Sequence, residues 1–267
     1  MIEIIKQQFS QNMSTEEKTN RAREFLQIAA LKIIYEKKLF DNITFTGGTS
    51  LRVLFNLRRF SEDLDFSLSK KKGYDFAVLN SELINGFSLQ GLKVESSFNE
   101  EKTVHSAMFK FTGLLKDLGL SPLKEQKLSI KIEVDSNPPD GGHIQNTFVN
   151  KIYLFNVAHF DLPSMLATKL HACFYRKFTK GRDFYDFFWY LGNKIKPNFT
   201  LFNNAVLQTE GYNPEIDEGS FKKFLMENIE KVDFDKAKKD VVRFLEDKSE
   251  INLFDLKVLK SAIESVW

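Results

Sequence analysis

Asp63 and Asp65 stand two apart in FSEDLDFSL, and about 15 residues before them the chain reads GGTS, Gly47 to Ser50. In a strand, residues two apart project to one face, so both carboxylates stand side by side while Leu64 and Phe66 turn to the other. Adjacent carboxylates repel unless a cation lies between them, and hard oxygen ligands suit magnesium. An acid pair on one strand is what a metal-assisted in-line phosphoryl or nucleotidyl transfer requires, because the metal stabilises attacking and leaving oxygens together. Alone, such a tripeptide reads more simply as a polar strand edge in water. The glycines alter that balance. Gly47 and Gly48 let the backbone approach a phosphate closely, the amides of Thr49 and Ser50 at a helix start point toward an anion, and their hydroxyls add donors. Turn and strand together describe one ligand, a nucleoside triphosphate with Mg2+.

The elements that must position these residues follow from periodicity. STEEKTNRAREFLQIAALKIIYEKKLF opens with Ser14 and Glu17 in the spacing of a capping box and places Ala22, Phe25, Leu26, Ala29, Ile33 and Ile34 at helical intervals. NITFT reads as a short strand ending at the glycines, TSLRVLF as a helix, NLRRFSE as a connection and DLDFSL as the acid-bearing strand. YDFAVLNSELINGF reads as a helix, followed by strands in LKVESSF, TVHSAMFKFTG and KLSIKIEVDS, a loop at NPPDGGH and a last strand in KIYLFNV. From Leu162 onward the periodicity is helical, first in LPSMLATKLHACFYRKF and RDFYDFFWYLGN, then to Trp267. The expectation is an α+β chain with a mixed sheet and helices in residues 1–160 and an all-helical part in residues 161–267.

Two residues of the helical part stand out. Lys169 lies nearer the face of Leu162, Leu166, Leu170 and Cys173 than the opposite face, which requires either a buried partner for its ammonium or a stem that snorkels to water. Asp183 opens a helix after Gly181, where the helix dipole alone accounts for an acid. Arg176, Lys177, Lys180 and Arg182 cluster between these helices and, with Arg58 and Arg59, form either a basic patch or solvated loops. On KIEVD, Lys131, Glu133 and Asp135 share one face. His143, His159 and His171 show no metal-ligand spacing and read as structural.

Composition bounds the classes. At 267 residues the chain suffices for one large domain or two moderate ones, with hydrophobic residues at 42% and charged residues at 28%, as in globular proteins. Lys and Arg exceed Asp and Glu by only two, 38 against 36, so any RNA contact must come from a local patch. Cys173 is the only cysteine, which excludes an intrachain disulfide and a cysteine-clustered zinc site. The start lacks the pattern of a secretory signal and no run has the length to span a bilayer, so the expectation is a cytoplasmic protein without a membrane partner.

GGTSLRVLFNLRRFSEDLDF resembles the first motif of the polymerase-beta-type nucleotidyltransferase superfamily, a glycine-glycine-hydroxyl turn followed by Asp-x-Asp. It is most similar to the AbiEii/AbiGii toxin family, whose Ser-x-Asp-x-Asp is matched by Ser61, Asp63 and Asp65. The resemblance continues through LATKLHACFYR and GRDFYDFFWYL and covers roughly residues 40–192; the last 75 residues match only in being helical. It implies a nucleotidyltransferase-type sheet completed by the helical part. Asp63 and Asp65 would bind Mg2+, Gly47, Gly48, Thr49, Ser50, Arg59 and Ser61 would hold the nucleotide, Lys169 would be the third-motif lysine on the triphosphate and Asp183 the fourth-motif aspartate. A third metal-binding carboxylate would come from Glu133 or Asp135, with Asp135 favoured as nearer the strand end. The resemblance further implies transfer of a nucleoside monophosphate to RNA, at the 3′ end of tRNA, with arrest of translation, Arg58, Arg176, Lys177, Lys180 and Arg182 as RNA contacts, and a cognate antitoxin. Two other functions fit the same residues: nucleotidyl transfer to a small-molecule hydroxyl, as on an antibiotic, which needs an acidic acceptor pocket, and a catalytically silent nucleotide- or RNA-binding regulator.

Overall fold

The computed structural model describes residues 1–267. Chain contacts divide it into two compact units, Met1–Phe55 with Phe60–Asn137 and Asn146–His159, and Asn56–Arg59 with Pro138–Gln145 and Phe160–Trp267. No helix is long and apolar enough to cross a membrane.

The first unit opens with a short helix α1, Ile2–Lys6, and the long α2, Thr15–Glu36. The capping box expected at its start is formed: the Glu17 amide donates to Ser14 Oγ at 3.2 Å and the Ser14 amide to Glu17 Oε2 at 2.7 Å. Strand β1, Ile43–Thr46, runs straight into α3, Gly47–Phe55, and the chain returns as β2, Asp63–Leu68. After α4, Phe76–Leu89, come β3, Val94–Asn99, β4, Val104–Phe111, the short α5, Leu114–Asp117, and β5, Leu128–Asp135; β6, Ile144–Asn150, and β7, Leu154–Phe160, complete the strands. They form one sheet in the order β3-β4-β5-β2-β1-β7-β6. The central β2 lies antiparallel to β1 and parallel to β5, so the acid strand is supported on both sides.

Alternation along β2 and β5 decides which face is core. Leu64, Phe66, Ile130, Ile132 and Val134 are buried with Phe25, Leu26 and Ile33 of α2 and Leu83 and Phe87 of α4, while Asp63, Asp65, Lys131, Glu133 and Asp135 are half-buried on the other face. Each such side chain contributes about 1.5–3 kcal/mol through burial. Many of the 27 phenylalanines pack into this interior, with edge-on contacts such as Phe87 on Phe111, 4.9 Å apart at 88°.

The second unit carries α6, Leu162–Phe174, α7, Gly181–Gly192, α8, Phe199–Glu210, α9, Glu218–Ile229, α10, Phe234–Val241, and α11, Leu256–Val266. Asp161 caps α6 by accepting from the Ser164 amide at 2.9 Å, with Pro163 in the first turn, where its missing N–H is harmless. In α7, Phe184, Phe187, Tyr190 and Leu191 form the buried stripe.

Several elements differ from the sequence expectation. β6 lies in HIQNTFVN, outside the strands expected from the sequence: it is a sheet edge exposed along nearly its whole length, so it lacks the alternation that marks a half-buried strand. The last strand starts and ends three residues later than KIYLFNV, and α6 stops at Phe174 rather than running to Phe178. The short α1 and α5 carry no usable period.

Candidate active site

The glycine turn and the acid strand of the first unit meet. Thr46 pairs with Asp65 across β1 and β2, so the turn begins where the second acid sits. Gly47 has φ +78°, and a Cβ there would fall 2.9 Å from both Cβ and Cγ of Asp65 and closer still to its Oδ2. Glycine is therefore required twice, for a backbone angle that other residues rarely adopt and for the space the carboxylate fills. One turn on, the Thr49 hydroxyl donates to the Asp63 carbonyl oxygen, and the Ser50 hydroxyl donates to the Gly47 carbonyl at 2.7 Å. Both residues are fully buried; the Thr49 hydroxyl ties the turn to the strand and the Ser50 hydroxyl closes the turn on itself.

The charges around the acid pair are mixed. In register, Lys131 stands beside Asp63, Glu133 beside Asp65, and Asp135 one step further beside Ser67. Burial depresses the Lys131 ammonium, but the Glu133 carboxylate 2.6 Å away together with Asp63 and Asp65 more than offsets it and holds Lys131 above the usual lysine range. Burial lowers Arg23 below its ordinary value despite the attraction of Glu62 and Asp63. Burial also raises Asp135, against a hydrogen bond from the Asn137 amide at 3.0 Å. No three His, Cys, Asp or Glu side chains gather in a metal-binding group, so the face offers a pair of carboxylates rather than a closed cage. That donor set fits a hydrated, oxygen-bound divalent ion that shares ligands with a phosphate. The Thr46 hydroxyl beside it is buried without a protein partner, a further oxygen at the same end of the strand.

Residues outside the expected motif hold this face in place. Glu24 of α2 takes Arg52 of α3 in a buried fork, 2.8 Å to Nε and 3.1 Å to Nη2, with the guanidinium stacked 4.1 Å from the Phe60 ring centroid. One turn along α2, the fully buried Gln27 donates from Nε2 to the Ser61 carbonyl at 3.0 Å. Their sequence signal was two polar residues in an otherwise apolar stretch, EFLQIAA.

The second unit contains a buried chain of charges. Lys169, 8% exposed, places Nζ 2.8 Å from Asp183 Oδ1 and 2.8 Å from Asp186 Oδ2. Asp186 also receives Arg59, Nε to Oδ1 and Nη2 to Oδ2 both at 2.6 Å, and Asp183 receives Arg176 at 2.5 Å. The apolar-face lysine thus has two buried partners. Burial opposes ionisation throughout, and the neighbours override it: Asp183 and Asp186 hold Lys169 well above the usual lysine range, while Lys169 and Arg176 hold Asp183 below the usual carboxylate range. Desolvation likewise works against Arg59, and Asp186 more than compensates.

The model of the AbiEii nucleotidyl transferase toxin family, of the type IV toxin–antitoxin system, matches residues 29–260. The chain belongs to this family. Two solved structures share its fold. A "putative nucleotidyltransferase from H. pylori" superposes with a TM-score of 0.54 at 18% identity, covering 91% of this chain and 92% of that one. JHP933 from Helicobacter pylori gives 0.50 at 19% identity, covering 92% and 91%. No curated protein matches. The protein is a nucleotidyltransferase, and its family implies an antitoxin partner.

In this AbiEii nucleotidyltransferase the remaining candidates have distinct settings. Arg58 is exposed and pairs with Glu250 at 3.0 Å, whereas its neighbour Arg59 is buried. Lys177 is exposed, and Arg182 lies over the Phe244 ring at 4.2 Å. Cys173, its thiol pushed up by burial, is a packing residue.

Proposed function

We propose that this nucleotidyltransferase moves a nucleoside monophosphate from a Mg2+-bound nucleoside triphosphate to an RNA hydroxyl, the 3′ end of tRNA, in the cytoplasm, and so stops translation until its antitoxin intervenes. The observation that carries the reading is the Asp65 carboxylate packed where a Gly47 side chain would be, which brings a phosphate-type turn and a metal-type acid pair to one place.

Asp63 and Asp65 would hold the metal, with a third carboxylate from Glu133, which stands beside Asp65, or from Asp135, one step along. When bound, the ion neutralises phosphate charge and steadies the attacking and leaving oxygens. The Gly47 to Ser50 backbone would face the phosphates, with Thr49 and Ser50 fixing the turn through their hydroxyls. Ser61, Arg59, Lys169 and Asp183 belong to the proposed nucleotide-binding and catalytic set; within the second unit, Arg59 is ion-paired with Asp186 and Lys169 with Asp183 and Asp186. The acceptor oxygen bonds to the α-phosphorus, the bond from that phosphorus to the bridging oxygen breaks, and pyrophosphate and the hydroxyl proton leave. Positioning and charge neutralisation supply the catalysis.

RNA is favoured over a small cationic acceptor because residues 176–182, RKFTKGR, hold four cations and no acid. Incubation with each α-labelled nucleoside triphosphate, Mg2+ and total tRNA tests the reading. Label in tRNA is expected; label only on an added aminoglycoside-type hydroxyl, or binding without transfer, contradicts it.

A further inference from the structure

We propose that the segment between α6 and α7 is a platform for unpaired RNA, on which a base stacks against Phe178 while Lys177, Lys180 and Arg182 neutralise the flanking phosphates. The proposal rests on the RNA-acceptor reading and deepens it by naming a residue and a nucleic-acid form.

Phe178 is 56% exposed, whereas Phe184, Phe187, Phe202 and Phe221 of the same unit are essentially inaccessible. No other phenylalanine of the second unit is exposed, so the open ring requires a reason, and its neighbours supply one. The Arg176 guanidinium lies 5.6 Å and the Lys180 ammonium 5.8 Å from the ring centroid, within cation–π range. Base-on-aromatic stacking next to phosphate-neutralising cations is how proteins grip single strands with little sequence preference. Along the sequence, residues 176–182 carry four cations and no acid; Arg176 is paired with Asp183, and the Arg182 amide donates to Asp240 Oδ2 at 3.4 Å.

The segment is also anchored at both ends. Arg176 is tied to Asp183 at 2.5 Å. At Gly181 a Cβ would fall 2.7 Å from the Ala237 carbonyl carbon, so α7 begins in tight contact with α10, and Arg182 is stacked on Phe244. A short loop fixed in this way loses little freedom when a ligand arrives. Because α6 ends at Phe174, Phe178 is not a helix-face residue awaiting a helix partner.

The test is fluorescence anisotropy with a 5′-labelled single-stranded RNA of about 12 nucleotides and a blunt duplex of the same sequence. Wild type, F178A, F178Y and K177A/K180A are compared with F148A, which removes a phenylalanine 72% exposed on β6. The expected result for F178A is a loss of single-strand affinity of roughly 5- to 150-fold with duplex affinity unchanged. F178Y restores binding, F148A matches wild type, and K177A/K180A lowers the salt slope by about 1.4. F178A that binds the single strand like wild type, or that loses only capture of a protein antitoxin, overturns the platform while leaving tRNA labelling intact. Wild type that binds neither RNA and labels a small molecule instead overturns the platform and the RNA reading together.

Discussion

At the scale of single residues, Gly47 is the position where backbone geometry and chemistry meet. Its φ of +78° and the carboxylate against its Cα both exclude a side chain. Gly47→Ala is expected to destabilise the fold by more than about 1 kcal/mol in urea unfolding and to depress transfer by displacing Asp65. Asp183 has a different signature. Its folded-state pKa lies below its unfolded value because Lys169 and Arg176 override burial, so it contributes stability that is complete above about pH 3.9 and is lost as pH falls through the lowered folded value. The stability gap between wild type and Asp183→Asn, followed by denaturant unfolding across that range, is expected to shrink as the solution is acidified. Lys169 is the mirror case, with a raised folded value and stability that drains only as pH rises through it. At this scale the sequence was informative: the glycines and acids announced themselves by type and spacing, and Lys169 by its place on an apolar face. The hydrogen-bonding roles of Thr49 and Ser50 did not, since a buried hydroxyl reads the same as a ligand-facing one until the turn is folded.

Among the elements, α2 acts as a brace. Glu24 grips Arg52 on α3 and Gln27 grips the Ser61 carbonyl just before β2, so one helical turn fixes both flanks of the motif. Removing one partner of a buried ion pair leaves an uncompensated charge, and Glu24→Ala is expected to cost about 3–5 kcal/mol in chemical denaturation. The double variant E24A/R52M should recover most of that loss; a full additive loss would show that the pair is not coupled. This brace was not legible beforehand because nothing in sequence pairs residues 28 positions apart. Strand β2 was legible, because alternation survives where one face is core. The edge strand β6, exposed except at Thr147 and Val149, gave no such pattern. The two readings failed and succeeded for the same physical reason.

For the whole molecule, a formal net charge of +2 sets a weak global field, so the proposed RNA affinity would come from local clusters and fall with salt only as steeply as those few cations dictate. The core packs Leu64 and Phe66 of β2 against α2 and α4, on the face opposite Asp63 and Asp65. Chelation of Mg2+ is therefore expected to abolish transfer while leaving the melting temperature of the nucleotide-free protein unchanged, checked by a thermal scan with and without EDTA. A large drop in melting temperature would assign the ion a structural role instead.

The most direct measurement is calorimetric titration of nucleoside triphosphate into wild type, Gly47→Ala, Asp63→Asn and Asp65→Asn, with and without Mg2+. The expected result is metal-dependent binding by wild type, loss of the metal-dependent part in both asparagine variants, and weakened binding by the alanine variant in either condition. Undiminished Mg2+-dependent binding by either asparagine variant would show that the acids and the glycine turn do not serve one ligand.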